Sequence, residues 1–264
     1  MERSRRSFLK ILGISTLGLG TLSSVDLLAK AEVGKAGFAP DPKGITGKRW
    51  ALVVDTKKLD EETTQKAIEA CHLIHNVPDY GDQDDEQIKW IWTDKYEHAF
   101  PGTEHEYLAE EIEEKPFLLL CNHCANPPCV RVCPTQATWQ REDGIVMMDQ
   151  HRCIGCRYCM AACPFGARSF NWKDPRTTYF KDKEPPNPKY PTRTKGVVEK
   201  CNLCAERLAV GEMPACVEAV KDSKAIVFGD LEDPDSEVRE VLHEHFTIRR
   251  KPELGTNPNV YYIV

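Results

Sequence analysis

Short apolar runs recur along the chain and are separated by longer polar stretches. Four runs of four or five residues predict β-strands at Trp50–Val54, Phe117–Leu120, Gly144–Met148 and Ala225–Phe228. Two further segments have weak helical periodicity and predict helices at Ala205–Val210 and Val238–His245. The pattern indicates a mixed fold built from small sheets and short helices.

The first residues have the features of an export signal in the expected order. The segment Ser4-Arg5-Arg6-Ser7-Phe8-Leu9-Lys10 matches the twin-arginine pattern. An uncharged run from Ile11 to Val25 follows, and Ala29-Lys30-Ala31 resembles a cleavage site. An amphipathic helix with a chance arginine pair is the alternative. We expect residues 1–31 to be a twin-arginine signal, which would deliver the folded protein to the periplasm.

Composition excludes some classes of function. Of the 264 residues, 41% are hydrophobic and 29% are charged, which is ordinary for a soluble globular protein. The formal net charge is -6 and no long basic run occurs, so a nucleic acid is not an expected partner. The unusual feature is a total of 12 cysteines in short clusters.

Eleven of these cysteines form three blocks. The first block is spaced C-x2-C-x4-C-x3-C-P, and the second C-x2-C-x2-C-x3-C-P, the spacing of bacterial ferredoxins. The third is a C-x2-C pair with one more cysteine after eleven residues. The members are Cys121, Cys124, Cys129 and Cys133; Cys153, Cys156, Cys159 and Cys163; and Cys201, Cys204 and Cys216.

The spacing matches the needs of a [4Fe–4S] cluster. The cluster binds four thiolates, and in two-cluster ferredoxins the last cysteine of each run binds the other run's cluster. The prolines after those last cysteines, Pro134 and Pro164, redirect the chain. The predicted ligand sets are Cys121, Cys124 and Cys129 with Cys163, and Cys153, Cys156 and Cys159 with Cys133.

Other uses of cysteine fit less well. A disulfide framework suits an even count in an exported protein, but not ordered ferredoxin runs. Cys201 and Cys204 alone are compatible with zinc. No C-x-x-C is followed by histidine, which excludes covalent haem attachment by pattern.

The residues around the blocks resemble the iron–sulfur subunits of complex iron–sulfur molybdoenzymes and polysulfide-reductase-like complexes. The similarity is carried by residues 121–134, 142–172, 198–201 and 225–230. It implies an α+β fold of two pseudo-symmetric bacterial-ferredoxin-like cluster-binding modules with insertions. Residues 32–264 would form this iron–sulfur domain, with an outer module at about 48–80 and 196–235 and an inner module at about 117–172.

The chain departs from that family at its outer cysteine groups. Members usually have four groups and four clusters, with the outer groups paired. Here the first group retains only Cys71, and the last group has Val220 in place of its fourth cysteine. One outer cluster therefore loses all its ligands, and segment 59–70 is predicted to form a short helix in place of that cluster's loop.

The other outer cluster retains a full set. The resemblance assigns it Cys71, Cys201, Cys204 and Cys216, so twelve cysteines would bind three [4Fe–4S] clusters. If Cys71 is instead an ordinary buried thiol, the third site would hold a three-iron cluster or use a non-cysteine ligand.

The pattern most resembles the periplasmic iron–sulfur subunit of the sulfite-reduction-associated transmembrane complex of sulfate reducers. That resemblance implies an electron-transfer relay in a membrane-associated respiratory complex, beside a quinone-interacting integral membrane subunit and a multihaem cytochrome c. An iron–sulfur subunit of a periplasmic nitrite, polysulfide or molybdopterin reductase is the alternative. The sequence has no nucleophile triad, phosphate loop or paired carboxylates, so we expect no catalytic residues. His123 and His151 adjoin ligands, but an ordinary polar role is the commoner one.

Overall fold

The computed structural model describes residues 41–81, 86–102, 107–179 and 185–264. The predicted signal, residues 1–31, lies outside the described residues. The described chain mixes helices and strands, as the α+β prediction required. None of its helices combines the length and the apolar character that crossing a membrane requires.

The strands are β1 (Trp50–Asp55), β2 (Ile91–Asp94), β3 (Phe117–Leu120), β4 (Thr138–Gln140), β5 (Val146–Met148), β6 (Ser169–Phe170), β7 (Val198–Glu199), β8 (Ile226–Asp230), β9 (Thr247–Ile248) and β10 (Val260–Ile263). The α-helices are α1 (Glu61–His75), α2 (Tyr96–Ala99), α3 (Glu110–Glu113), α4 (Pro128–Arg131), α5 (Tyr158–Ala161), α6 (Arg176–Tyr179), α7 (Ala205–Leu208), α8 (Ala215–Ala219) and α9 (Glu237–Glu244). A 3-10 turn spans Pro252–Leu254.

The largest sheet joins segments that are distant in the sequence. Its strand order is β8–β1–β10–β9. Strand β1 pairs antiparallel with β8, with Trp50 opposite Asp230, and parallel with β10, with Leu52 opposite Val260. The segment before the first cysteine, the segment after the third block and residues 260–263 therefore form one sheet.

Strand β1 is buried along its whole length. Successive side chains of a strand point to opposite faces of the sheet. Leu52 and Val54 join the main core, whereas Ala51 and Val53 join a smaller core that contains Val238 of α9. Both faces of this strand are covered, so its first five residues are all apolar instead of alternating with polar ones.

The predicted elements are present with small shifts of their ends. The four predicted strands are β1, β3, β5 and β8, and the two predicted helices are α7 and α9. The predicted helix at 59–70 is α1, which continues to His75. The pattern did not predict β10, although this strand pairs with the centre of the sheet.

Helix α1 places Cys71 in the core. The Asp60 side chain caps the helix by accepting from the Thr63 N–H at 2.7 Å, and the helix ends at Asn76, where φ is +49°. The buried residues fall on one face and pack toward α8; they are Thr64, Ala67, Cys71 and His75.

Three two-stranded antiparallel sheets support the cysteine blocks. Strand β3, paired with β2, leads directly into Cys121. The β4–β5 pair lies between the first and second blocks. The β6–β7 pair joins the end of the second block to the start of the third. The blocks are thus anchored at both ends by strands.

Two long segments between the cysteine groups, residues 72–116 and 173–195, pack against the strands that hold the cysteine blocks. The Glu199 carboxylate on β7 accepts from Arg193 at 2.9 Å, from Trp90 Nε1 at 2.8 Å and from Asn171 Nδ2 at 2.5 Å. All four side chains are buried. Residues 72–116 and 173–195 therefore both contribute to a fixed polar network.

Candidate metal centres

The three C-x2-C loops share one backbone feature. The residue before the second cysteine has a positive φ in each loop: +38° at His123, +70° at Gly155 and +59° at Leu203. A positive φ costs about 1–2 kcal/mol for a residue other than glycine. The buried Leu203 nevertheless has a positive φ, which indicates that the surrounding structure holds this loop in a strained conformation typical of a functional site.

The third cysteine of each block occupies an equivalent place. Cys129, Cys159 and Cys216 are the second residues of the short helices α4, α5 and α8. The third block thus has the loop and helix of the first two, despite its longer spacing.

The first predicted ligand set lies together. Burial, together with the nearby Cys121, Cys163 and Cys129, raises the pKa of the Cys124 thiol to about 12. Cys124 lies in one buried cluster with Phe165, and Cys121 and Cys163 pack against that cluster. The structure therefore brings all four members into one group, which we call the first site.

Within the first site, Cys121 has a distinct charge environment. Burial raises the pKa of its thiol, but Lys200 and His123 outweigh this effect, and the pKa lies well below its usual value. His123 is buried and its Nδ1 accepts from the Val146 N–H at 3.0 Å. His123 thus directly neighbours a predicted ligand, whereas His151 is exposed.

The second predicted set is brought together in part. Burial raises the pKa of Cys159, and Cys153 is among the groups that raise it further. Cys153 Sγ accepts from the Val198 N–H at 3.5 Å. Cys156 is exposed, and Cys133 lies beside Thr135, with Sγ 3.7 Å from Oγ1. Assignment of Cys133 and Cys156 to this second site remains a prediction from spacing.

Glycine at position 155 is required by the second site. Its φ is +70°, and a Cβ there would meet the Gly196 carbonyl oxygen well inside van der Waals contact. The loop therefore lies directly against the chain that leads into β7.

The third predicted set is buried and close together. Burial raises the pKa of Cys71 well above its usual value, and Cys201, Cys204 and Cys216 each raise it further. Backbone N–H groups point at two of these sulfurs: Leu203 donates to Cys201 at 3.4 Å and Ala215 to Cys204 at 3.4 Å. We call this group the third site.

A histidine and a carboxylate adjoin the third site. His75 lies one turn beyond Cys71, and its Nδ1 is 2.8 Å from the Cys71 carbonyl oxygen. Its Nε2 is 2.7 Å from Glu206 Oε1. Burial raises the pKa of Glu206, but His75 outweighs this effect and the pKa is lowered. Sequence reasoning missed this pair, whose only signal was the spacing of His75 from Cys71.

The donor chemistry fits iron–sulfur clusters. All twelve cysteines lie within the described residues, and each is a free thiol. Seven are buried, four are partly buried and one is exposed. Buried free thiols that receive backbone N–H groups in left-handed loops are suited to ligate a cluster.

The comparison with known proteins identifies the family. Residues 115–179, which contain the first two blocks, match a family described as a 4Fe-4S dicluster domain. The chain is 39% identical to the Hdr-like menaquinol oxidoreductase iron-sulfur subunit 1 of Archaeoglobus fulgidus, across 98% of this chain and 97% of that protein. The chain belongs to the 4Fe–4S electron-transfer subunits of oxidoreductase complexes. This confirms the predicted electron-relay function.

Two further relatives agree with this assignment. One tetrathionate reductase subunit, from Salmonella typhimurium, is 35% identical across 100% of this iron–sulfur protein and 89% of its own length. The menaquinone reductase iron-sulfur cluster-binding subunit of Nitratidesulfovibrio vulgaris is 35% identical across 81% of this chain and 88% of its own length.

In this iron–sulfur protein the first site adjoins both of the others. Cys121 packs against the buried cluster that contains Cys71, Cys201 and Cys216. Cys129 lies in one buried cluster with Cys159, against which Cys153 packs. This arrangement is suited to passing electrons between the sites.

Proposed function

We propose that the chain holds three [4Fe–4S] clusters and relays electrons among them. The ligands would be Cys121, Cys124, Cys129 and Cys163; Cys153, Cys156, Cys159 and Cys133; and Cys201, Cys204, Cys216 and Cys71. Each bound cluster would supply one-electron redox chemistry. The polypeptide sets the spacing of the sites, excludes water from the buried thiols and directs N–H groups at the sulfurs.

The proximity of Cys71 to the third block carries this proposal. Cys71 is 4% exposed and lies far from that block in sequence. Even so, its pKa is raised first by burial and then by the nearby Cys201, Cys204 and Cys216. The positive φ at Leu203, which matches those in the other two C-x2-C loops, also supports a cluster at the third site.

A fourth cluster is not part of the proposal. Val220, where a fourth cysteine would stand, is buried in the main core together with Leu59 and Ala67 of the segment that replaces the lost loop. We propose that this end of the chain no longer docks a molybdopterin subunit.

The two-module arrangement is also proposed. The pairing of β1 with β8 supports an outer module from residues near 48–80 and 196–235, extended by β10. The first two blocks with the β4–β5 pair support an inner module at about 117–172. Together these modules would make up the iron–sulfur domain of residues 32–264.

We propose a respiratory complex as the setting. One relative is named as a menaquinol oxidoreductase subunit and another as a menaquinone reductase subunit, which favours a quinone-interacting integral membrane subunit as partner. The resemblance to the sulfite-reduction-associated complex favours a multihaem cytochrome c and a role in sulfate reduction. The twin-arginine pattern favours a periplasmic position. The similarity to a tetrathionate reductase subunit supports the alternative, a periplasmic reductase partner.

Purification of the chain from native membranes tests this setting. We expect a complex with an integral membrane protein and a c-type cytochrome, whose iron–sulfur signals change when a menaquinol analogue is added. Stoichiometric recovery of a molybdopterin subunit would favour the alternative. Recovery from the cytoplasmic fraction would contradict export.

A further inference from the structure

Lys200 places a buried positive charge between the first and third sites. The residue is 2% exposed. Its Nζ donates to the Val146 and Cys201 carbonyl oxygens, the second at 2.7 Å. Its charge acts on the sulfurs of Cys121 in the first site and Cys201 in the third.

Arg168 occupies the corresponding place between the first and second sites. It is 4% exposed, and its Nη1 donates to Thr138 Oγ1 at 3.1 Å. Its charge acts on Cys129 and Cys121 of the first site and on Cys159 of the second, and its buried Nη2 has no hydrogen-bond partner among the described residues. The guanidinium therefore lies beside two ligand sets.

Neither cation has a carboxylate partner. Among the described residues, no Asp or Glu forms an ion pair with Lys200 or Arg168. The buried Arg193, by contrast, pairs with the buried Glu199. A buried charge is costly unless it is compensated. Among the described residues, the groups found beside these two cations that can become anionic are cysteine thiols, which bind iron as thiolates.

We propose that Lys200 and Arg168 are charge-compensating positioning residues, each stabilising the reduced state of the two clusters that it adjoins. This inference rests on the proposed three-cluster function. Each reduction adds one negative charge to a buried cluster, and a nearby fixed cation lowers the free energy of that state. Because net charge and hydrogen bonds to sulfur set cluster potentials, the two cations would hold the potentials of adjacent sites high enough for electrons to pass.

Redox titration of the full chain, loaded with its clusters and adsorbed on an electrode, tests the proposal. Lys200→Met is expected to lower two of three midpoint potentials, those of the first and third sites. Arg168→Met is expected to lower those of the first and second. One potential, that of the first site, is therefore lowered by both changes, so the test needs no prior assignment of the signals.

Charge-conserving and charge-balanced variants provide the controls. Lys200→Arg and Arg168→Lys keep the charge and are expected to leave the potentials near those of the unaltered chain. The double variant Arg193→Gln with Glu199→Gln removes a buried ion pair without changing net charge, and it is expected to move none of the three.

Three outcomes decide the matter. Unchanged potentials after neutralisation, or an equal shift of all three, would overturn the role of these cations. If Lys200→Met does not retain clusters, Lys200→Gln is titrated in its place, and potentials equal to those of Lys200→Arg would overturn the proposal. Loss of clusters in both neutral variants but not in Lys200→Arg would show that the buried charge is needed and would support it. Fewer than three one-electron signals in the unaltered chain would instead refute the three-cluster function itself.

Discussion

Replacement of Cys71 by alanine tests the ligand set on which the third site depends. Cys71 sits on the buried face of α1 and is 4% exposed. The change removes one of four sulfurs and leaves Cys201, Cys204 and Cys216 in place. Because the position is buried, water has no ready route to replace the missing ligand.

The expected magnitude follows from the ligand count. Twelve cysteines at four per cluster correspond to about twelve iron atoms per chain, and loss of the third cluster leaves about eight. A fall to about eleven, with the signal of a three-iron cluster, would also assign Cys71 as a ligand, because one iron would have lost its thiolate. Leu73→Ala, two positions away on the same helix and 57% exposed, is the matched control and should retain the full content.

Iron and acid-labile sulfide, measured per polypeptide in anaerobically purified protein, provide the assay. The EPR spectrum of the reduced protein should lose the contribution of one cluster in Cys71→Ala alone. Iron content and spectrum equal to those of the Leu73→Ala control would show that Cys71 is not a ligand, and the third site would then need a different fourth ligand.

Three other changes test the frame around the sites. Gly155→Ala should lower the thermal stability more than Gly166→Ala. Both glycines have a positive φ, which costs an alanine about 1–3 kcal/mol, but only at position 155 would the new Cβ also clash with backbone atoms. Arg193→Ala should reduce the free energy of unfolding in denaturant by about 3–5 kcal/mol, since it leaves a buried carboxylate unpaired. Asp94→Asn should lower the pKa of His98, followed by NMR, because the hydrogen bond and charge of Asp94 raise that pKa above 6.5. The raised pKa makes this pair stabilising below pH 6.5, and that contribution is lost as the pH rises through the folded-state pKa.

Specific results would count against each of these expectations. Equal melting temperatures of the two glycine variants would show that the second loop can move away from its neighbour. A loss below about 1 kcal/mol for the arginine variant would show that water or another group compensates the carboxylate. An unchanged histidine titration would remove the aspartate as the cause of the shift.

The sequence predicted strands β1, β3, β5 and β8 and helices α1, α7 and α9 because their signals are local. Strand β3 and residues 50–54 of β1 are uninterrupted apolar runs, and ligand spacing within a C-x2-C loop is set by the loop itself. The division of the cysteines into ligand sets stays a prediction. Cys71 had no local signal; its assignment came from resemblance and from counting ligands. The strands and the loop spacing could be predicted because they depend on a few neighbouring residues, and the assignment of Cys71 because it depends on the number of cysteines.

The parts that were not predicted depend on tertiary packing. Strand β10 gives no sign that it pairs with β1. Lys200 and Arg168 are strongly polar residue types that sequence patterns place at the surface, yet both are buried between cysteine groups. His75 adjoins the third site because it follows Cys71 by one turn of α1 and because its Nε2 meets Glu206 of α7, a residue distant in sequence. Whether a charged side chain is buried in a core depends on neighbours that are distant in sequence.

The proposed function requires three four-iron clusters in one chain. Mössbauer spectroscopy of the unaltered chain, enriched in ⁵⁷Fe and coupled to total iron analysis, counts them. We expect about twelve iron atoms per chain, all in [4Fe–4S] clusters. About eight iron atoms, together with free thiols at Cys71, Cys201, Cys204 and Cys216, would contradict it.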